Sequence, residues 1–297
     1  MTSGSKGEFD RLPGWRDDDL QAALAVFRAG LEGPAPAEDP VAARDFFETT
    51  FLPGPTRPAL LTGYYQPEIA GAAVRDDRFC HPLYGPPPDI PTDRPWYTRK
   101  EIEQRNLLAG QEIVWLTDPV DAFFAQVQGS VRVRLPDGTD LRLGFGGKNG
   151  HPYKSIGAEL IRRGEIAGEE MSAMAIRRWC ASHPSLVQDL LQINPSFVFF
   201  RKLDPAPDQG PLGTAGVPLA ALRSIAVDPD HYPLGTPIWV ETGQGKGRLM
   251  IAQDTGSAIA GSGRADIYCG SGDAAGIAAG GMREDGFLTP LLPRGRQ

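Results

Sequence analysis

The stretch 222-LRSIAVDPDHYPLGTPIWVETGQGKGRLMIAQDT-255 decides the fold. Its apolar runs at 222–229, 237–242 and 247–255 are short, rich in Ile, Val, Leu and Trp, and separated by Gly and Pro turns. That is the pattern of strands joined by tight connections. Asp228 and Asp254 fall at the ends of two of these runs, and Asp266 follows in 264-RADIYCGSG-272. Side chains at strand ends beside glycine-rich loops gather at a sheet rim. Taken singly, each Asp reads as an Asx-turn or cap; three within forty residues form a candidate site.

The letters 254-DTGS-257 match the catalytic loop of pepsin-like aspartic proteases. That chemistry needs two carboxylates sharing one proton, hence two such loops. The chain has one, and Gln253 stands where the protease loop usually carries an apolar residue.

Working outward, 17-DDDLQAALAVFRAGLE-32 predicts a helix with Leu20, Leu24, Phe27 and Leu31 on one face. A second helix is expected over about 39–50, and 59-ALLTGYYQPEIAG-71 reads as a strand leading into a loop. The proline-dense 82-PLYGPPPDIPTDRP-95 is expected to be a surface connection. In the middle block, 131-VRVRLPDGTDLRLGF-145 is a hairpin turning at Asp137-Gly138. Helices are expected near 156–163, 171–180 and 184–191. Two domains fit the 297 residues.

The net charge of −7 offers no basic field for nucleic acid. Cys80, Cys180 and Cys269 lack metal spacing and read as free thiols; His81, His151, His183 and His231 are scattered singly. No metal or cofactor is expected. Ser257 and Ser262 lack a nucleophile elbow. Tyr64, Tyr65, Trp96, Tyr97, Phe197, Phe199 and Phe200 offer flat faces suited to pyranose rings, although Phe197 and Phe199 read better as core. Gln128-Gly129-Ser130 and 147-GKNGHPYKSIG-157, with Lys148, Asn149, Tyr153 and Ser155, are candidate saccharide hydrogen-bonding groups, as is Gln253. No apolar run is long enough to span a membrane, and no signal h-region is visible.

The motifs TGYYQPE, VQGS, GKNGHPYKSIG, NPSFVFF, the 216–241 run and 252–280 together resemble the membrane-bound lytic murein transglycosylase A family over nearly the whole chain. The resemblance implies a mainly β fold. A double-psi β-barrel would be formed by 1–96 with 194–297, with a second β-domain inserted at 97–193 and a glycan groove between them. It implies non-hydrolytic cleavage of peptidoglycan to 1,6-anhydromuramoyl products by a single acid/base, Asp266, supported by Asp254 and Asp228. It also implies a monomer in the cell envelope, with possible envelope-anchored partners, whose leader is expected to have been removed. The chain departs from the family pattern at Ser257, where Gly is usual, and at Ala260, where Lys is common. The alternatives are a hydrolase on the same barrel and a non-catalytic saccharide-binding module.

Overall fold

The computed structural model describes residues 7–30, 40–91, 93–203, 210–243, 245 and 247–295. Helices α1 (Leu20–Ala29) and α2 (Pro40–Thr50) precede strands β1 (Phe51–Pro53), β2 (Arg57–Gln66), β3 (Glu68–Ala72) and β4 (His81–Tyr84). The middle holds α3 (Arg99–Gln104), β5 (Glu112–Leu116), α4 (Pro119–Gln128), β6 (Val131–Arg134), β7 (Asp140–Lys148), α5 (Ile156–Arg162), α6 (Ala173–Ser182), α7 (Val187–Leu191) and β8 (Val198–Lys202). The chain ends with β9 (Ser224–Ala226), β10 (Pro237–Thr242), β11 (Gly247–Asp254), β12 (Arg264–Ser271), α8 (Gly272–Gly281) and β13 (Arg283–Pro293). Two compact units emerge: Met1–Tyr65, Asp208–Gly270 and Ile277–Gln297 form one, Gln66–Pro207 and Ser271–Gly276 the other. The expected insert, 97–193, lies inside the second unit, which also takes in strands on either side of it.

In the first unit the strands run in the order β1-β13-β10-β11-β9-β12-β2, and β2 pairs back to β13, so six strands close into a double-psi β-barrel. The β9–β11 pairing is parallel, whereas β10–β11, β9–β12, β10–β13 and β2–β13 are antiparallel. Period-two alternation sends Leu61, Ile225, Val227, Ile238, Val240, Ala252, Ala265 and Ile267 to one apolar cluster. The opposite face of β10 and β11 gives Trp239 and Leu249 to a second cluster with Phe9, Trp15, Leu20, Leu24 and Phe47 from the N-terminal segment. Trp15 and Trp239 meet edge to face, with ring centroids 5.2 Å apart. Gly247 is needed beneath Trp239: a Cβ there would come within 2.1 Å of the indole. Asp19 caps α1, accepting from the Ala22 N–H at 3.0 Å, so the acidic run starts the helix as its pattern predicts. The helix stops at Ala29, and Leu31 lies outside the described residues.

The second unit is a six-stranded sheet, order β4-β5-β3-β6-β7-β8, with α4 to α7 supplying a helical cluster around Phe123, Leu160, Trp179 and Leu190. The expected hairpin pairs Val131 with Leu143 and Val133 with Leu141. The proline-dense segment opens differently from expectation, because His81–Tyr84 pairs antiparallel with β5. Phe197, Phe199 and Phe200 are buried to 2%, 0% and 0% exposure, so all three are core and none presents a face to a sugar.

Candidate active site

The barrel register places two of the three aspartates symmetrically. Ala226 of β9 is the cross-strand partner of Asp266 on β12 and also of Asp254 on β11. The two aspartates therefore flank β9, and neighbouring-strand spacing puts their Cα atoms about 10 Å apart. On β12, Asp266 and Tyr268 point away from the apolar barrel face that takes Ala265 and Ile267. On β2, Thr62 and Tyr64 take the same outward face, while Leu61 points inward. Gly63, between them, permits close approach of α8: a Cβ would lie 2.8 Å from Ala279 Cα and 2.9 Å from Cys269 Sγ.

The carboxylates differ sharply in their partners. Asp254 Oδ1 accepts from the Thr214 N–H at 3.0 Å, the Thr214 hydroxyl at 2.9 Å and the Thr255 N–H at 2.9 Å. Its Oδ2 accepts from the Tyr64 hydroxyl at 2.9 Å. Asp228 accepts from the backbone N–H of Gly261 at 2.6 Å and of Asp230 at 3.1 Å, and these two donors hold its carboxyl below the ordinary value. Asp266, half-buried, accepts one hydrogen bond among the described residues, at Oδ1 from the Thr62 hydroxyl. Burial pushes its pKa up; Thr62 and the Arg264 charge oppose this, and the Asp254 charge adds to it. Burial raises the Tyr64 phenol well above its usual range and the Asp254 charge adds to it, so the phenol stays protonated and donates. Burial and the Asp266 charge lift the Cys269 thiol to about 11, which keeps it protonated at neutral pH.

Asp228 thus fixes the loop that enters β12. Its bond to Gly261 is joined by the Tyr232 hydroxyl donating to Ser262 O at 2.7 Å.

Several residues expected to hydrogen-bond sugar are committed to the frame instead. Gln253 is 1% exposed; its oxygen accepts from the Ser224 hydroxyl and its NH2 donates to Val26 O at 3.1 Å. Asn149 is 1% exposed; its NH2 donates to Tyr97 O and Pro195 O, and its oxygen accepts from the Phe197 N–H, each at 2.8 Å. The Ser155 hydroxyl caps α5, accepting from the Ala158 N–H at 3.1 Å. Gly129 closes α4 in the left-handed region, and Ser130 is buried beside it. Lys148 and Tyr153 are exposed, and Gln128 and Tyr65 are half-buried. Thr62 and Tyr268 escape sequence reading, because a Thr or a Tyr in a strand looks like an ordinary β-former until the register shows what it faces, and Thr214 escapes it because it sits in a turn forty positions from the carboxylate it serves.

Two family models match: the MltA specific insert domain over residues 60–201 and the 3D domain over 223–292. A crystal structure of membrane-bound lytic murein transglycosylase from Agrobacterium tumefaciens aligns with 97% of this chain and 96% of its own, at 32% identity and a TM-score of 0.82. The chain belongs to the membrane-bound lytic murein transglycosylase A family. Membrane-bound lytic murein transglycosylase A of Escherichia coli K12 is 39% identical over 234 residues, which cover 74% of this chain and 61% of that protein's length. The Escherichia coli MltA crystal structure with bound chitohexaose aligns with 97% of this chain and 90% of its own at 30% identity, TM-score 0.75. The 3D-domain match contains Asp228, Asp254 and Asp266. No helix among the described residues is long and apolar enough to cross a membrane.

Proposed function

We propose that this chain is a lytic transglycosylase. It cleaves the β-1,4 bond between N-acetylmuramic acid and N-acetylglucosamine in peptidoglycan, with Asp266 as the single acid and base. The observation that carries the reading is the contrast in partners: Asp254 accepts four hydrogen bonds and Asp228 two, whereas Asp266 is half-buried, holds one and has a raised pKa. A carboxylate with most of its lone pairs filled is a poor proton carrier, and one kept short of donors in a dry setting retains its proton.

Protonated Asp266 gives its proton to the glycosidic O4 as the C1–O4 bond breaks, releasing N-acetylglucosamine as an alcohol. The C6 hydroxyl oxygen of the same muramoyl residue then bonds to C1, and the Asp266 carboxylate takes its proton. The 1,6-anhydro ring closes, Asp266 ends protonated as it began, and no water is consumed. A second carboxylate, needed by ordinary glycosidases, is dispensable because the nucleophile is intramolecular, with a large effective molarity. Asp254 contributes a fixed charge that favours the protonated form of Asp266.

The relatives' name, membrane-bound lytic murein transglycosylase A, supports a cell-envelope location and peptidoglycan strands as substrate. Mass analysis of products from purified murein tests the reading. Saccharides one water lighter than hydrolysis products are expected, and hydrated reducing ends would make the chain a hydrolase. Asp266→Asn in a folded protein is expected to remove activity; retention within about tenfold would refute its role.

A further inference from the structure

Asp266 has two oxygens, and the structure treats them differently. Oδ1 accepts from the Thr62 hydroxyl, while Oδ2 has no hydrogen-bond partner among the described residues. Thr62 sits on β2 opposite Arg283 of β13, and β2 is hydrogen-bonded to β12 as its barrel neighbour. The Thr62 side chain is therefore held by sheet register, and a β-branched residue has few χ1 choices in a strand. A hydroxyl proton donated to Oδ1 favours the carboxyl proton on Oδ2, because a protonated oxygen is the weaker acceptor.

We propose that Thr62 is a positioning residue for the proton of Asp266: by donating to Oδ1 it confines the transferable proton to Oδ2. This inference rests on Asp266 being the acid. Three consequences follow from the geometry. The carboxyl plane is fixed by a contact between two strands rather than by a loop, which suits a group that must serve as acid and then as base from one position. When the proton leaves Oδ2, the Thr62 hydroxyl strengthens its bond to the new carboxylate without moving. The same bond favours the ionised form, so it trims the rise in pKa that burial imposes.

The charged and titratable groups around Asp266 are few. Arg264 lies on the same strand but spends its guanidinium on the carbonyls of Leu60 at 3.2 Å and Ala265 at 3.1 Å. Asp254 stands across β9, Tyr64 on β2 is neutral, and the Cys269 thiol is protonated and donates to Ile267 O at 3.4 Å. Among these, Thr62 alone makes a hydrogen bond to the Asp266 carboxyl.

The experiment compares Thr62→Val, Thr62→Ser and Asp266→Asn in the full chain, with folding checked by circular dichroism and turnover of murein followed across pH. Thr62→Val keeps the shape and removes the donor. It is expected to lower kcat about ten- to a hundredfold with a smaller change in KM, because the proton is no longer confined to one oxygen. Its alkaline limb is expected to move up by about one pH unit, because a donor that favours the carboxylate is gone. Thr62→Ser restores the hydroxyl and is expected to recover both the rate, to within about fivefold, and the limb. A Thr62→Val protein with the original limb and rate overturns the proposal. So does a Thr62→Ser protein no better than Thr62→Val, which would point to packing. An active Asp266→Asn protein refutes instead the assignment of the acid. If Thr62→Val does not fold, Thr62→Ser still decides: a fivefold-or-smaller loss with an unmoved limb is required.

Discussion

Asp18→Ala is expected to cost about 3–5 kcal/mol of stability although the residue belongs to a segment far from the barrel strands in sequence. The Arg223 guanidinium donates to Asp18 Oδ2 at 2.7 Å and to Oδ1 at 2.9 Å, a two-toothed pair whose side chains are only 11% and 5% exposed. Asp18 Oδ2 also accepts from the Leu249 N–H at 2.9 Å, and Arg223 donates to Leu249 O at 2.9 Å. Four bonds thus tie the entrance of α1 to β11, the strand that ends in Asp254. Removing the carboxylate leaves the guanidinium buried with one carbonyl partner and strips the Leu249 N–H of its side-chain acceptor. A broken buried pair costs far more than a surface one, for which the median is about 0–1 kcal/mol. The loss would take a third or more of a typical domain's stability of about 5–15 kcal/mol. Urea unfolding of Asp18→Ala, Arg223→Ala and the double variant measures it, with Trp15 and Trp239 in the adjoining cluster as reporters. Each single change should cost nearly as much as both, giving a coupling of about 2 kcal/mol or more. A loss below about 1 kcal/mol for Asp18→Ala, or additive single costs, refutes the view that the N-terminal segment is part of the barrel's frame.

The pKa of Asp266 predicts an opposite effect at the active site. Its folded pKa lies above the ordinary 3.8, so ionisation in the folded state is penalised and the penalty accumulates as pH rises through and beyond that value. Asp266→Asn should therefore raise the melting temperature at neutral pH and lose that advantage near pH 3; equal gains at both would mean the effect is not ionisation. Tyr64→Phe keeps the ring 5.4 Å from that of Tyr268 but leaves Asp254 Oδ2 without its donor, and a loss of about 1.5–3 kcal/mol is expected in denaturant unfolding. No measurable loss would show the bond to be idle. Gly63→Ala forces a methyl against Ala279 and Cys269 and should cost about 1–3 kcal/mol while lowering turnover, since β2 carries Thr62. Full activity would show that β2 can shift without disturbing Asp266.

The barrel strands were legible because both faces of β10 and β11 are buried, which writes near-continuous apolar runs such as PIWV and LMIA into the sequence. The hairpin at 131–145 was legible for the opposite reason, a clean alternation around Asp-Gly. Helix α4 was not anticipated, although Asp118 caps it by accepting from the Val120 N–H at 2.7 Å and Pro119 opens it, because its Phe123 and Phe124 blur the apolar face. Helix α8 is built of Gly and Ala and has almost no amphipathic contrast to read. At the site, Asp266, Asp254 and Asp228 were visible as residues. Their division of labour was not, since it depends on donors from Thr214, Gly261 and Thr62, up to 204 positions away in the chain. The amides of Gln253 and Asn149 misled in the same way, because a buried framework amide and a sugar-binding one have identical letters.

The same division of hydrogen bonds separates the conspicuous DTGS from the proposed acid, Asp266. A protease-like dyad needs carboxyl groups about 3 Å apart to share a proton, but Asp254 and Asp266 pair with the same residue of β9 from opposite sides. One intervening strand sets their Cα atoms about 10 Å apart, near enough for a residual field. Burial raises the Asp266 pKa, and the Asp254 charge adds to it. The Asp-Thr-Gly turn gives its own carboxylate one donor, the Thr255 N–H, and Thr214 adds two more to the same oxygen. With the Tyr64 hydroxyl on the other oxygen, three of the four donors that occupy Asp254 come from outside the motif. Asp266 lies mid-strand, where backbone donors are spent on the sheet ladder and cannot quench the side chain, and a single hydroxyl from the next strand is left to orient it.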